Sequence, residues 1–133
     1  MNRFVYALAG LALALAACTT VPPGAPADLW ERAWPEIRWT YDRLALERDG
    51  ICTQPRMEAV TRVEEVERTP ERVVLRLSYW FRDVGYEDDD WIVAGTFRRC
   101  EGFAERTFAI DPRTGRVLAM GGPQRAPRDL SPR

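Results

Sequence analysis

The clearest structural signal in the chain is the strict alternation of side chains over residues 72–83. One side of this segment is apolar and consists of Val73, Leu75, Leu77, Tyr79 and Phe81. The other side is mixed and consists of Val74, Arg76, Ser78, Trp80 and Arg82. A period of two residues is typical of a β-strand with one buried face. We therefore predict a strand here. If its mixed side is exposed, Trp80 and the arginines beside it form a candidate binding surface.

Further strands are predicted on both sides of this segment. Residues 57–69 mix periods of two and three, but the connection at Thr69 and Pro70 favours a hairpin partner for the first strand. Two later strands are joined around Glu101 and Gly102, and an Asp-Pro-x-x-Gly turn leads into a short last strand. These remaining strands are predicted at residues 90–100, 103–111 and 116–120.

An amphipathic helix is predicted before the strands. Its apolar stripe recurs every three or four residues and consists of Trp30, Trp34, Ile37, Tyr41 and Leu44. Asp28 and Glu31 have the spacing of a capping box, so the helix is predicted to begin there, and Gly50 is suited to end it. Pro35 predicts a kink or a restart, because proline lacks the N–H group. We expect Trp39 to be partly exposed rather than a stacking platform for sugars or bases.

One helix followed by antiparallel strands predicts an α+β domain, in which the helix covers the apolar face of a sheet of four to five strands. The order of elements resembles the helix-and-sheet layout of cystatin-like domains, and the hairpin at residues 110–118 resembles that of PepSY-type domains. Neither resemblance implies an activity. We expect one domain over residues 28–120. Residues 121–133 are predicted to be a disordered tail, with a basic peptide that contacts lipid or a partner as the alternative.

The first seventeen residues have the composition of a secretory signal peptide. Arg3 precedes an uninterrupted run of apolar and small residues at positions 4–17. Fourteen helical residues reach roughly 21 Å, which is shorter than the ~30 Å hydrocarbon core of a bilayer. We therefore predict that residues 1–17 are cleaved rather than retained as a membrane span.

The end of this segment, "LAAC" at residues 15–18, resembles the lipobox of bacterial lipoproteins. That resemblance implies that Cys18 is linked to diacylglycerol, becomes the new N-terminus and is N-acylated. Several buried acyl chains supply the membrane signals that stable anchoring needs. The alternative is an ordinary cleavage site after a small-x-small motif, because "ALA" also occurs at residues 12–14 and 14–16.

Residues 18–27 are predicted to be the lipidated cysteine and a proline-rich tether. In a polyproline-like conformation, nine residues reach roughly 28 Å. Lipoproteins that stay in the inner membrane usually have Asp after the cysteine, whereas this chain has Thr19. The resemblance therefore implies a lipid anchor in the outer membrane, with the domain facing the periplasm.

The charged residues restrict the chemistry that the chain can perform. Basic and acidic residues are nearly balanced, at 19 and 20, so the chain lacks the strong positive charge of a dedicated nucleic-acid binder. There is no histidine, and every basic residue is arginine. These absences exclude Ser-His-Asp and Cys-His catalysis, zinc sites that use histidine, and Schiff-base chemistry at lysine. We therefore predict a protein that is not an enzyme and carries no cofactor.

The two cysteines left after Cys18 are Cys52 and Cys100. An even pair in an exported protein predicts a disulfide. Closing a loop of this length contributes about 4 kcal/mol in the chain-entropy model. A catalytic thiol is the alternative, but the chain has neither histidine nor a CxxC motif to activate one.

One acidic cluster is a candidate metal site. Glu87, Asp88, Asp89 and Asp90 are consecutive and lie between predicted strands. Calcium takes oxygen ligands from short acidic loops, but the alternating ligand spacing of a calcium loop is missing. A solvated hairpin tip is therefore the favoured interpretation, and we assign no metal ligand.

Together these features predict a small, lipid-anchored periplasmic protein that binds or supports a partner in the cell envelope. The expected partners are the membrane, through the lipid, and an envelope protein, with no role for nucleic acid. An inhibitor or ligand-binding module that presents Trp39, Trp80 or the acidic loop is the alternative. A metal-dependent enzyme that uses the carboxylates of residues 87–90 is a third hypothesis.

Overall fold

The computed structural model describes residues 20–83 and 100–126. The predicted signal peptide, Cys18, the acidic cluster and nearly all of the strand predicted at residues 90–100 lie outside the described residues. The described part is an α+β fold, with one helix packed on a four-stranded antiparallel sheet, as the sequence predicts. Its elements are α1 (Ala27–Leu44), β1 (Pro55–Arg68), β2 (Val73–Asp83), β3 (Glu101–Ile110) and β4 (Val117–Met120).

The sheet is a simple meander in which each strand pairs with the next along the chain, in the order β1-β2-β3-β4. Leu77, in the middle of β2, lies opposite Val63 of β1 and Arg106 of β3. The pairing of β1 with β2 shifts register at three places along the strand. Each shift moves the following side chains by one position relative to the partner strand. These irregularities explain why residues 57–69 show no clean period of two.

The core lies between α1 and the inner face of the sheet. All five apolar side chains predicted for one side of β2 are buried, from Val73 to Phe81. From α1, Trp30, Ile37 and Tyr41 are buried against them, and Trp34 stacks on Trp30 with 4.9 Å between ring centroids. The stripe predicted from the sequence is therefore the buried face of the helix.

The ends of α1 differ from those predicted. The helix begins at Ala27, and no side chain caps its first turn, so Asp28 is a first-turn residue rather than a cap. The helix ends at Leu44, six residues before Gly50. It ends there because the chain turns away to pair with the C-terminal segment: Arg125 N–H donates to Leu44 O at 2.8 Å. Pro35 lies inside α1 without dividing it into two helices.

Residues 121–126, which we assigned to a tail, pair with the rest of the fold. Gly121 N–H donates to Thr107 O at 2.9 Å, and Leu46 N–H donates to Pro123 O at 3.0 Å. Ala45 and Gln124 form an antiparallel bridge. The segment after β4 therefore closes over the end of α1.

Residues 22–26, which we assigned to the tether, pack along the edge of β1 that pairs with no other described strand, and we call them the N-terminal strap. Val63 N–H donates to Pro23 O at 2.9 Å, and the Pro22 side chain is buried. Gly24 has a φ of +84°, and a Cβ atom there would lie 2.0 Å from the carbonyl oxygen of Val63. Only glycine therefore fits at this position without displacing the strap.

The structure places Cys52 and Cys100 at disulfide distance, with 2.21 Å between their sulphur atoms and 5.6 Å between their Cα atoms. Both residues are buried. Cys52 follows the turn after α1, and Cys100 immediately precedes β3. A bond here joins the helix end to the far end of the sheet.

Replacing both cysteines with alanine should lower the free energy of unfolding by up to about 4 kcal/mol, because the unfolded chain then loses the constraint of a long closed loop. Urea unfolding of the wild-type chain and of Cys52→Ala/Cys100→Ala, each with and without a thiol reductant, measures this difference. Reductant should destabilise only the wild-type chain. Free thiols at both positions in native exported protein, detected by mass spectrometry, would contradict the prediction.

Candidate functional site

The residues that the sequence singled out for chemistry are mostly separate from one another or outside the described residues. Cys18 and the acidic cluster at residues 87–90 both lie outside the described residues, so a metal site at the cluster and a lipid at Cys18 remain predictions. Cys52 and Cys100 meet beside Asp83, and the three ligand atoms lie within 4.8 Å of one another. Sulphur atoms at bonding distance are not thiolate ligands, so this group offers a metal one carboxylate only.

Asp83 is a structural residue at the end of the β2–β3 pair. Its carboxylate accepts a hydrogen bond from Gln54 N–H at 2.9 Å, and its own N–H donates to Cys100 O at 2.7 Å. The carboxylate therefore holds the segment before β1 against the base of the sheet, next to the two cysteines.

The outer face of the sheet carries the most exposed aromatic group in the described residues. Because α1 packs on the inner face, the mixed side of β2 faces away from the helix. The register places Trp80 opposite Phe103 of β3. The two rings meet edge to face with 4.9 Å between centroids, and Phe103 is 73% exposed. We call Trp80 and Phe103 the aromatic pair.

Charged residues of both signs surround the aromatic pair. Arg82 approaches Glu101 at 3.8 Å, and Ser78 Oγ donates to Glu105 at 3.0 Å. Farther along β2, Arg76 approaches Glu64 of β1 at 3.4 Å. Exposed ion pairs of this kind contribute roughly 0–1 kcal/mol each. The surface is therefore aromatic at its centre and mixed in charge around it, rather than cationic as the sequence alone indicated.

Trp39, the other aromatic candidate for binding, is half exposed on α1. The guanidinium of Arg43, one turn later, lies 4.6 Å from the centre of the Trp39 ring. A cation in that position occupies one face of the ring. Trp39 is therefore a less open surface for a ligand than the aromatic pair.

A cluster of buried polar side chains lies under the end of α1. Glu47 Oε1 accepts hydrogen bonds from the Tyr41 hydroxyl at 2.9 Å and from the Tyr79 hydroxyl. Arg106 of β3 approaches the same oxygen at 3.2 Å. We call these four residues the Glu47 cluster. It joins α1, β2 and β3 to the turn that follows the helix.

Arg106 uses its whole guanidinium inside the protein. Besides Glu47, it donates to the Tyr79 hydroxyl at 3.2 Å and to three backbone carbonyl groups, those of Leu46, Gly121 and Pro123, at 2.9, 2.7 and 2.9 Å. Arginine has five N–H groups, and all of them are used here. No donor of this side chain is left for a ligand.

A left-handed turn positions Glu47. Arg48, Asp49 and Gly50 all have positive φ, at 49°, 55° and 87°. The backbone groups of Glu47 and Cys52 pair on either side of this turn, each donating an N–H at 3.0 Å. Arg48 donates to the carbonyl of Glu101 at 2.6 Å. The unfavourable conformation of Arg48 and Asp49 is therefore held by contacts that also fix Glu47 and Cys52.

The environment keeps the tyrosines of the Glu47 cluster neutral. Burial raises the pKa of Tyr41 far above its ordinary value, and the neighbouring Tyr79 and Glu47 raise it further. Burial and the hydrogen bond to Glu47 also raise the pKa of Tyr79, although Arg106 opposes them. Burial disfavours the cation of Arg106, but Tyr79 and Glu47 outweigh this effect and raise its pKa. Two neutral phenols, a carboxylate and a guanidinium fully used within the protein serve as a structural link rather than as acid-base groups.

Sequence reasoning missed the Glu47 cluster and Phe103. Arg106 alternates in step with Phe108 and Ile110 and so lies on the same face of β3. The pattern of β3 could therefore have predicted a buried arginine. Phe103 falls on the opposite face of β3, and this position predicts an exposed aromatic side chain. Glu47 gave no signal, because it lies in a turn where neither helix nor strand period applies.

A groove lies between the β1–β2 and β3–β4 turns. It is lined by Arg68, Thr69, Pro70, Pro112 and Arg113. Each guanidinium has an acidic neighbour: Arg68 bonds Glu65 at 2.9 Å, and Arg113 approaches Asp111 at 3.7 Å. These pairs reduce the attraction of the groove for an anion.

Comparison with known proteins gives no family assignment. No protein-family model, curated protein or solved structure matches the chain. Among the helices of residues 20–83 and 100–126, none is both long and apolar enough to cross a bilayer.

Stability should fall above about pH 10, because unfolded tyrosine ionises there while Tyr41 and Tyr79 stay protonated in the fold. Each tyrosine should contribute about 1.4 kcal/mol of lost stability per pH unit. Urea unfolding between pH 8 and 11 measures the slope. Tyr41→Phe and Tyr79→Phe should each reduce the slope of unfolding free energy against pH by the contribution of one tyrosine. This reduction is expected whether or not the variant is less stable at pH 8. Unchanged slopes in both variants would contradict the assignment.

Proposed function

We propose that this protein is a small lipoprotein of the bacterial outer membrane, anchored through Cys18, whose domain binds an envelope protein in the periplasm without catalysing a reaction. The observation that carries the binding role is the aromatic pair on the outer face of the sheet, where Phe103 is 73% exposed. The anchor depends on the lipobox resemblance at residues 15–18 and on Thr19 after it.

The aromatic pair has the properties of a protein-binding surface. Aromatic side chains are enriched at the centres of interfaces, where they bury a large area with few rotatable bonds to immobilise. Trp80 and Phe103 already pack edge to face, so the ring arrangement exists before a partner arrives. The surrounding Arg82 and Glu101 supply a polar rim that favours one orientation of the partner.

Two observations support a binding role over catalysis. The chain has no histidine or lysine. The buried Glu47 and Arg106 form their hydrogen bonds within the protein. The ligand-binding alternative is favoured by the same aromatic pair, because a half-buried indole beside an exposed phenyl ring also suits a flat apolar molecule. A protein partner is preferred because the described residues place the pair on a sheet face and do not enclose it in a cavity.

The anchor predicts that Cys18→Ser releases the protein from the membrane. In a bacterial host, the wild-type chain should sediment with outer-membrane vesicles and float with lipid in a density gradient, because its acyl chains are buried in the bilayer. The variant, exported with a cleavable signal peptide of the ordinary type, should be in the soluble periplasmic fraction. Membrane retention of the variant would contradict the anchor.

The binding surface predicts a site-specific crosslink. A photoreactive phenylalanine derivative placed at Phe103 in the anchored protein should give one discrete adduct in intact envelopes, and Trp80→Ser in the same chain should reduce it at least about tenfold, as expected for losing 1.4 kcal/mol or more at a binding centre.

The control is the same probe at Leu118, which is 55% exposed and lies on β4. It should give no such adduct. Equal adducts from both positions, or an adduct at Phe103 that is indifferent to Trp80→Ser while the variant keeps its melting temperature, would overturn the proposal.

A further inference from the structure

The N-terminal strap determines how far the domain can stand from an anchor at Cys18. The strap is fixed to β1 by the hydrogen bond from Val63 N–H to Pro23 O, at 2.9 Å, and by the buried ring of Pro22. Ala25 N–H also donates to Pro22 O, at 3.2 Å, which turns the strap back on itself before α1. The free length of chain therefore ends at Pro22, not at the start of the helix.

Three residues lie between Cys18 and Pro22, and the four Cα–Cα steps that join them reach at most ~14 Å when fully extended. A lipidated cysteine lies within the headgroup layer, which is about 5–7 Å thick on each side of a bilayer. At full extension, the free chain from Cys18 to Pro22 therefore leaves roughly 8 Å of water between Pro22 and the headgroup surface. This distance is about one Debye length at physiological ionic strength.

We propose that the strap holds the free edge of β1 against the lipid headgroups, so that the sheet stands on the membrane with β1 nearest and β4 farthest. This inference rests on the proposed lipid anchor at Cys18. The headgroups are the partner of this edge because the short free chain keeps them within reach of it.

The charges of β1 fit a headgroup surface of low net charge. The strand carries three arginines and four glutamates: Arg56, Arg62, Arg68, Glu58, Glu64, Glu65 and Glu67. A nearly balanced strand neither binds an anionic bilayer strongly nor is strongly repelled by it. The edge is therefore held near the lipid by the strap and not by charge, and the Cys18→Ser chain should not bind vesicles.

This orientation sets the height of the aromatic pair. Neighbouring strands lie about 4.8 Å apart, so Trp80 on β2 and Phe103 on β3 stand about one and two strand spacings above β1. The outer face then points along the membrane plane. The partner that the aromatic pair binds is therefore one whose surface lies close to the inner face of the outer membrane.

Fluorescence energy transfer tests the orientation directly. The lipidated full chain is reconstituted into vesicles of phosphatidylethanolamine and phosphatidylglycerol that contain an acceptor dye on a headgroup. A donor dye is attached through Val66→Cys on β1 or Leu118→Cys on β4, which replace exposed apolar residues on the two edge strands. The donor on β1 should lie nearer the acceptor plane, by about 14 Å for three strand spacings.

Gly24→Ala tests whether the strap causes this difference. The added Cβ would lie 2.0 Å from the carbonyl oxygen of Val63, so the strap should leave β1 and lengthen the free chain. Transfer from the Val66→Cys donor should then fall towards that from Leu118→Cys. The matched control is Gly50→Ala: Gly50 has a similar φ of +87°, but a Cβ there meets nothing within 4 Å. It should leave the transfer unchanged.

The experiment distinguishes failure of the proposed anchor from failure of the proposed orientation. A protein without acyl chains at Cys18 by mass spectrometry, which does not float with vesicles, refutes the proposed anchor. An acylated protein whose two donors lie at equal height, or whose β4 donor is nearer, refutes the orientation and leaves the anchor standing. The comparison between the two donors needs no strap variant, so it decides the question even if Gly24→Ala does not fold.

Discussion

The ion pair between Glu47 and Arg106 is the interaction on which the rest of the structure depends. Burying two charges costs several kcal/mol per ion before any compensation. For Arg106 this cost is offset by hydrogen bonds from all five of its N–H groups, which donate to Glu47, Tyr79 and three carbonyl groups. Those acceptors belong to β2, the turn after α1 and the C-terminal segment. One side chain thus holds together parts of the chain that are far apart in sequence, and the two charges specify one arrangement of them.

The sequence predicted the elements whose side chains repeat regularly. The two-residue period of β2 gave the correct buried face, and the stripe on α1 from Trp30 to Leu44 gave the face that packs on the sheet. Both signals are local, since period and burial are set within a single element. The pairing of Cys52 with Cys100 was predicted by a different argument, from an even number of cysteines in an exported chain.

The parts that could not be predicted depend on contacts between distant segments. The helix ends at Leu44 because Arg125 pairs with Leu44 and Pro123 pairs with Leu46. A local stop signal such as Gly50 carries no information about that pairing. The strap is proline-rich and reads as an extended tether, yet its position is fixed by a hydrogen bond from Val63. Only part of the candidate site could be predicted. The pattern of β2 placed Trp80 on the outer face, but its contact with Phe103 depends on the register between β2 and β3.

The N-terminal strap also bears on solubility. β1 is an edge strand of fourteen residues, and an uncovered edge of that length offers N–H and C=O groups to any other strand. The strap occupies the middle of this edge at Val63, and the register shifts twist the strand on both sides of it. Glutamates and arginines are spread along the rest of the strand. A second copy of the chain therefore finds no long, flat edge to extend, which suits a protein that would be concentrated on a membrane surface.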